Sequence, residues 1–186
     1  MSERLRLFVA LDLPAAACDA LATWCDRVAP AGVRRIPAHD LHLTLAFLGA
    51  RAERDAAAVA GVLPGLALVH PVGCLRITRA LWLAPRRPSV LAVAIDECDE
   101  LAALRAELVA ALRPAIGFDA ERRPFRPHVT VGRVGRGARV GVGASPLGPP
   151  PTLTVAPQAI TLYRSHGDRR GARYEPLARE RLGGGR

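Results

Sequence analysis

Two stretches of this chain, LHLTLAFLG at 41–49 and PFRPHVTVGR at 124–133, set polar residues at alternate positions inside an apolar run. Alternation of period two commits a segment to a half-buried strand and fixes which side chains share a face. In the first stretch Leu41, Leu43, Leu45 and Phe47 point to a core, while His42, Thr44 and Ala46 face away from it. In the second, Phe125, Val129 and Val131 are buried, and Arg126, His128, Thr130 and Gly132 face the opposite way. Each strand thus displays an imidazole, a hydroxyl two residues on, and then a very small residue. By the same count Arg133 points away from the His128 face and reaches it only across a strand end or a bulge.

The remaining segments read as an alternation of strands and helices. RLRLFVALDLP (4–14) is a first strand running into Pro14, and 15–28 a helix with Pro30 and Gly32 past its end. Residues 52–62 are a second helix. After Pro64 come strands at 66–78, 80–84 and 89–96. The clearest helix is 99–114, with Leu101, Leu104, Leu108 and Leu112 as its stripe, Asp99 as its cap and Pro114 as its stop. A strand at 127–134 follows, then a Gly/Pro-rich loop at 135–151, read either as a rim over a site or as a tolerated insertion. One or two strands at 152–165 and a last strand at 172–182 complete the chain. A helix precedes the histidine strand in each half, which suggests an internal duplication in an α+β chain with helices on one face of its sheets.

Composition bounds what such a chain does. With 186 residues and 50% apolar content it forms one compact unit or two small, intimately joined lobes. No apolar run approaches the roughly 18 residues of a membrane span. The opening MSERLRLFVALDLP reads as a strand and not as a leader, which points to the cytoplasm. Four scattered cysteines without a CxxC give no structural zinc site and read as small residues in or near a core. The formal charge is +9 and all 26 basic residues are arginine. Such a charge favours anionic partners, although the absence of lysine also fits a genome-wide composition bias.

Paired imidazoles suit proton transfer at neutral pH, one ring removing a proton while the other supplies one. Threonine is a poor base but a good hydroxyl donor, suited to a non-bridging phosphate oxygen. Two such strands facing one phosphodiester support in-line displacement without a metal, the surrounding positive charge stabilising the developing anion. A zinc site fits less well, because two histidines fall short of the usual three protein ligands.

The chain resembles the 2H phosphoesterase superfamily, whose signature is a pair of HxTx strands. Its finer context is similar to the bacterial and archaeal RNA 2',3'-cyclic phosphodiesterases, also called 2'-5' RNA ligases. RLFVALDLP, LHLTLAFLG, RPFRPHVTVGR, LYRS (162–165) with Tyr174, and the 86-residue separation of the histidines all agree with that family. The resemblance implies a bilobal α+β fold, with pseudo-twofold-related antiparallel sheets, helices packed outside and a central cleft. It implies one domain over 1–186, made of two packed lobes. It implies hydrolysis of a 2',3'-cyclic phosphate at an RNA end to a 2'-phosphomonoester, with no cofactor and no metal. His42 would then be the proton donor to the 3' oxygen and His128 the acceptor that activates water, with Thr44 and Thr130 binding the phosphate. Either ring could serve each role in the reverse direction.

Arg126, Arg133, Phe8 and Phe47 are secondary candidates for substrate contact, the two phenylalanines reading first as core. Val131 and Gly132 replace the family's common Leu and Ala, and Arg34-Arg35-Ile36 stands where an Arg-Trp pair is frequent, so an aromatic wall is lost. The expected partner is RNA, or a small cyclic nucleotide, met by a monomer. Ligation through a 2'-5' linkage is the competing activity, and hydrolysis is favoured because water is always present. A non-catalytic RNA-binding protein fits less well, because the chain is only 4% aromatic and lacks base-stacking modules.

Overall fold

In a computed structural model, residues 4–84, 87–121, 123–135, 137–140, 147–168 and 171–183 are described. The strands are β1 (Arg4–Asp12), β2 (Val33–Arg35), β3 (His42–Ala52), β4 (Leu75–Leu83), β5 (Val90–Ile95), β6 (His128–Val134), β7 (Thr154–Val155), β8 (Ala159–Asp168) and β9 (Gly171–Arg181). The helices are α1 (Ala15–Val28), α2 (Glu53–Val69) and α3 (Asp99–Ile116), with one 3-10 turn at Ala38–Asp40. This is the α+β class that the sequence predicts.

The strands run in the order β7-β4-β5-β6-β3-β1-β8-β9, with β2 added on β6, and each pairing is antiparallel. The two halves of this sheet meet at β3 and β6, the two histidine strands, whose ladder is the single partner pair Leu43 and Val129. Side chains from these two strands line the cleft. The apolar faces of both halves pack against the helices, with Leu21, Leu63, Leu101, Leu104, Leu108 and Leu112 fully buried beside Leu43, Val93 and Val129.

Some elements differ from the sequence reading. Helix α2 runs through Pro64 to Val69, where a strand was expected, and β4 starts only at Leu75. Burial of Leu63, Leu66 and Ala67 outweighs the bond that proline removes from a helix interior. Likewise α3 passes Pro114 and ends at Gly117, whose φ of 60° and ψ of 40° give the left-handed cap. Cys98 holds the N-cap position, so Asp99 lies one residue inside. Strand β2 carries two arginines in three residues, so no alternation announced it. Cys18 and Cys25 are buried as expected, but Cys74 is exposed. Of the loop read at 135–151, residues 136 and 141–146 lie outside the described residues, and the described remainder carries no helix or strand.

Three unpaired residues break the ladders beside the cleft. Along β1 and β3, Val9 pairs with Ala46 and Ala10 with Thr44, which leaves Leu45 out. Leu7 pairs with Gly49 and Phe8 with Phe47, which leaves out Leu48. On β6, Leu91 pairs with Gly132 and Ala92 with Thr130, which leaves Val131 out. Each bulge frees a carbonyl that needs another donor. Arg105 Nε supplies one to Leu45 O at 3.3 Å, and Arg51 Nε one to Leu48 O at 2.9 Å. Val131 O accepts the Ile36 backbone N–H at 2.9 Å and the Cys25 thiol at 3.5 Å. The bulges are thus held by hydrogen bonds from α1, from α3 and from their own surroundings.

Candidate active site

Register sets the geometry of the histidine strands. With Leu43 opposite Val129 in an antiparallel pair, one step each way places His42 across from Thr130, and Thr44 across from His128. The two imidazoles occupy one diagonal of a four-residue square and the two hydroxyls the other. All four side chains lie on the face away from the buried Leu43 and Val129.

Each ring is held the same way. His42 Nδ1 lies 2.7 Å from Asp40 O, and His128 Nδ1 lies 2.7 Å from Arg126 O. A carbonyl oxygen can only accept, so the proton sits on Nδ1 in both rings. Nε2 is left as the nitrogen that exchanges a proton with a ligand.

The rings differ in their surroundings. Burial pushes the His42 pKa down from 6.5 to about 4; its bond to Asp40 and the Asp12 carboxylate oppose this, and Arg133 and His128 add to it. Its ring stacks on Phe8 at 4.9 Å between centroids, and Tyr174 meets it edge-on at 5.1 Å. Tyr163 stacks on Phe8 at 5.2 Å and lies 5.9 Å from the His42 ring, so the three rings form one cluster. Phe8 is therefore buried in the core, as read from sequence, and also forms the support under the His42 ring.

Asp12 lies directly across β1 from His42. Its carboxylate accepts from Thr161 Oγ1 at 3.0 Å, Tyr163 OH at 2.8 Å and Arg179 Nε at 2.7 Å. Three donors fix its orientation. Burial, together with this bond to Asp12, pushes the Tyr163 phenol up. Sequence reasoning passed over Asp12, Tyr163 and Tyr174 as site residues. One signal was available: Phe8, Ala10 and Asp12 alternate on a single face of the first strand.

Two cavities open from the square. The first, about 440 Å³, is lined by His42, Thr44, Thr130 and Arg133, with Phe8, Phe47, Tyr174 and Arg6 around them. The second, about 470 Å³, is lined by His128, Thr44, Phe47, Arg126, Arg105 and Phe125, among others. They share Thr44 and Phe47, so one groove runs past both rings. Phe47 is a correction to the sequence reading. It is 59% exposed and lines the groove, because the Leu45 bulge reverses the alternation that would have buried it. Arg133 reaches the cleft by the same device, the bulge at Val131 turning it onto the histidine face. Gly132, expected on that face, is buried instead.

The sequence profile described as the 2'-5' RNA ligase superfamily matches residues 8–169. That span contains both histidine strands and all three bulges. The chain belongs to this superfamily. It is 33% identical over 188 residues to the RNA 2',3'-cyclic phosphodiesterase of Escherichia coli K12, a match covering 96% of this chain and 97% of that protein. Among solved structures it is similar to a phosphoesterase, with a TM-score of 0.81 and 30% identity over 97% of this chain and 99% of that one. It is also similar to Escherichia coli LigT complexed with 3'-AMP, with a TM-score of 0.75 and 31% identity over 97% and 99% of the two chains.

Proposed function

We propose that the protein hydrolyses 2',3'-cyclic phosphate ends of RNA to 2'-phosphomonoesters, working as one domain of two joined lobes. The observation that carries this reading is the matched pair of imidazoles, each with Nδ1 tied to a carbonyl, set diagonally to two hydroxyls in one groove. The phosphodiesterase similar over nearly the whole chain supports the same substrate class.

In this reading the phosphorus lies over the square, and Thr44 and Thr130 donate to its non-bridging oxygens. Arg133 adds positive charge at its edge. His128 Nε2 removes the proton of the attacking water, and His42 Nε2 gives its proton to the departing 3' oxygen. Phe47, exposed between the two cavities, offers a face to the terminal base, and Arg126 guides the strand beyond His128. The donor set supports a metal-free route: among the described residues no three His, Cys, Asp or Glu side chains converge to hold an ion. A cytoplasmic monomer acting on RNA or on small cyclic nucleotides completes the proposal.

One observation favours the exchanged assignment, with His42 as acceptor: its pKa near 4 leaves it neutral at neutral pH. An anionic phosphate beside the ring raises that pKa, and a weakly basic imidazole is a strong donor once protonated. The two assignments predict opposite pH limbs. With His42 as donor, its own titration lowers kcat/KM as pH rises above about 4, since the protonated form of the free protein grows scarcer. With His42 as acceptor, its titration lowers kcat/KM only below about pH 4.

The test uses chelator-treated protein and an RNA ending in a 2',3'-cyclic phosphate. We expect a 2'-phosphate product, and losses of about a thousandfold or more in H42A and in H128A. Activity that requires added zinc or manganese, or that survives both substitutions, overturns the reading.

A further inference from the structure

We propose that Arg105, on α3, is a positioning residue: it joins the two histidine-bearing segments and sets where the His128 ring stands relative to Thr44. Its effect on rate rests on the function proposed above; its effect on the His128 ring does not.

The ladder between β3 and β6 is one partner pair, Leu43 with Val129. A single pair fixes register but does little to fix the angle between two strands, so the placing of His128 against Thr44 needs a further constraint. The His128 ring has the same need. It is oriented by Arg126 O at 2.7 Å, yet residues 124–127 belong to no helix or strand. Pro127 O accepts the Ile95 backbone N–H at 3.0 Å, which holds one end of that segment. The other end, at Phe125, is held by a side chain.

Arg105 meets both needs. Its Nε donates to Leu45 O at 3.3 Å, on the residue after Thr44. Its guanidinium lies 4.5 Å over the ring of Phe125, the residue before Arg126. One planar group therefore touches a neighbour of Thr44 and a neighbour of the His128 anchor. The helix it reaches from is firmly seated. α3 buries Leu101, Leu104, Leu108 and Leu112 completely, and Arg51 of β3 donates from Nη1 to Ile116 O, at the end of α3, at 2.9 Å. Arg105 thus extends to the His128 side an attachment that α3 already has to β3.

The arrangement calls for arginine in particular. A guanidinium is flat, so it donates from its edge while its face rests on an aromatic ring. Lysine supplies the charge without the face or the fixed edge. The bulge takes Leu45 out of the ladder with β1, and its carbonyl therefore depends on a donor from elsewhere. Charge alone is the rival role, since Arg105 lines the cavity beside His128. Substitution separates the two. A positioning group acts on kcat and is not replaced by lysine, whereas a charge that binds phosphate acts on KM and is replaced by it.

The test compares Arg105→Lys, Arg105→Met and Phe125→Leu with the parent protein, using 2',3'-cyclic AMP as substrate. Ring nitrogens of both histidines are read by nitrogen NMR at mildly alkaline pH, the His128 signal being the one missing from H128A. All three variants should lower kcat about tenfold or more and change KM by less than about twofold, because a small displacement of a reacting group costs rate rather than binding. In the parent, the proton rests on Nδ1 of both rings. In the variants, His128 should shift toward the Nε2-protonated form that free histidine favours, while His42, anchored separately by Asp40 O, should not. Unchanged kcat in the Arg105 variants overturns the proposal. So does Arg105→Lys retaining kcat while Arg105→Met raises KM, which makes the residue a charge that binds substrate. An unaltered His128 signal overturns it too, as does a change shared equally by His42, which marks a general loosening of the fold. A shift confined to His128, in a protein inactive on cyclic phosphates, sinks the proposed function and leaves the positioning role standing.

Discussion

His42 shows how burial ties the titration of one side chain to the stability of the whole fold. Its pKa is pushed from 6.5 down to about 4, chiefly by burial, so the folded state holds the ring neutral while the unfolded chain protonates it more readily. The sign follows. The contribution to stability is complete above about pH 6.5 and is lost as pH falls toward 4, because the unfolded state then binds the extra proton. At pH 5 the loss is about 1–2 kcal/mol, allowing for the open side of the cleft. His42→Gln has no such proton to bind, so the drop in its urea midpoint between pH 7 and pH 5 should be smaller than in the parent chain. An equal drop in both would show that burial does not set this ring's titration. The shared face of His42, Thr44, His128 and Thr130 was legible from sequence, because all four precede the first unpaired residue of their strands. Phe47 and Arg133 lie just past a bulge, where strict alternation gives the wrong face.

Bulges also explain why a glycine stands at position 132. β2 crosses close over β6 there, and a Cβ on Gly132 would lie 2.7 Å from Val33 Cγ1 and 3.4 Å from Arg34 O. Sequence comparison alone reads glycine as a mild replacement for the family's alanine; the packing makes even one added carbon a clash. We expect Gly132→Val to cost about 1–3 kcal/mol. It should also disturb Arg133 next door, so thermal melting and kcat/KM should fall together; a variant of unchanged melting temperature and activity would contradict the close approach of β2. Helix α1 reinforces the same region. Its Cys25 thiol reaches Val131 O, and its Cys18 thiol reaches Leu41 O at 3.7 Å, so one helix is tied to both histidine-bearing segments. The helix itself was readable from its bounding prolines. Its hydrogen bonds to two distant strands were not, since nothing local encodes where a thiol will point. The prolines of α2 and α3 misled for a related reason: burial of leucines two or three residues away decides whether a helix continues.

Taken whole, the molecule places its two histidines and two threonines at the narrow join between two half-sheets and surrounds the groove with arginine. Arg6 and Arg133 line one cavity, and Arg105, Arg123 and Arg126 the other, on a chain of formal charge +9. Charge of this kind acts over distances at which salt screens, so its effect grows with the number of phosphates a substrate carries. Between 50 and 300 mM KCl, kcat/KM for an RNA oligonucleotide with a cyclic end should fall about tenfold, and that for 2',3'-cyclic AMP only about twofold. Parallel declines would confine the arginines' influence to the reacting phosphate. The class of fold and the pairing of the halves could be read from periodicity and the repeated motif. The order of strands across the sheet could not, because it depends on contacts between segments far apart in the chain.

Both imidazoles are oriented by main-chain oxygens, at Asp40 and at Arg126, and every amino acid carries that oxygen. Single-letter changes at those two positions therefore leave the ring's anchor in place. Gaining or losing one residue between anchor and histidine removes it, so this enzyme's lineages should tolerate drift in spelling there and almost none in length.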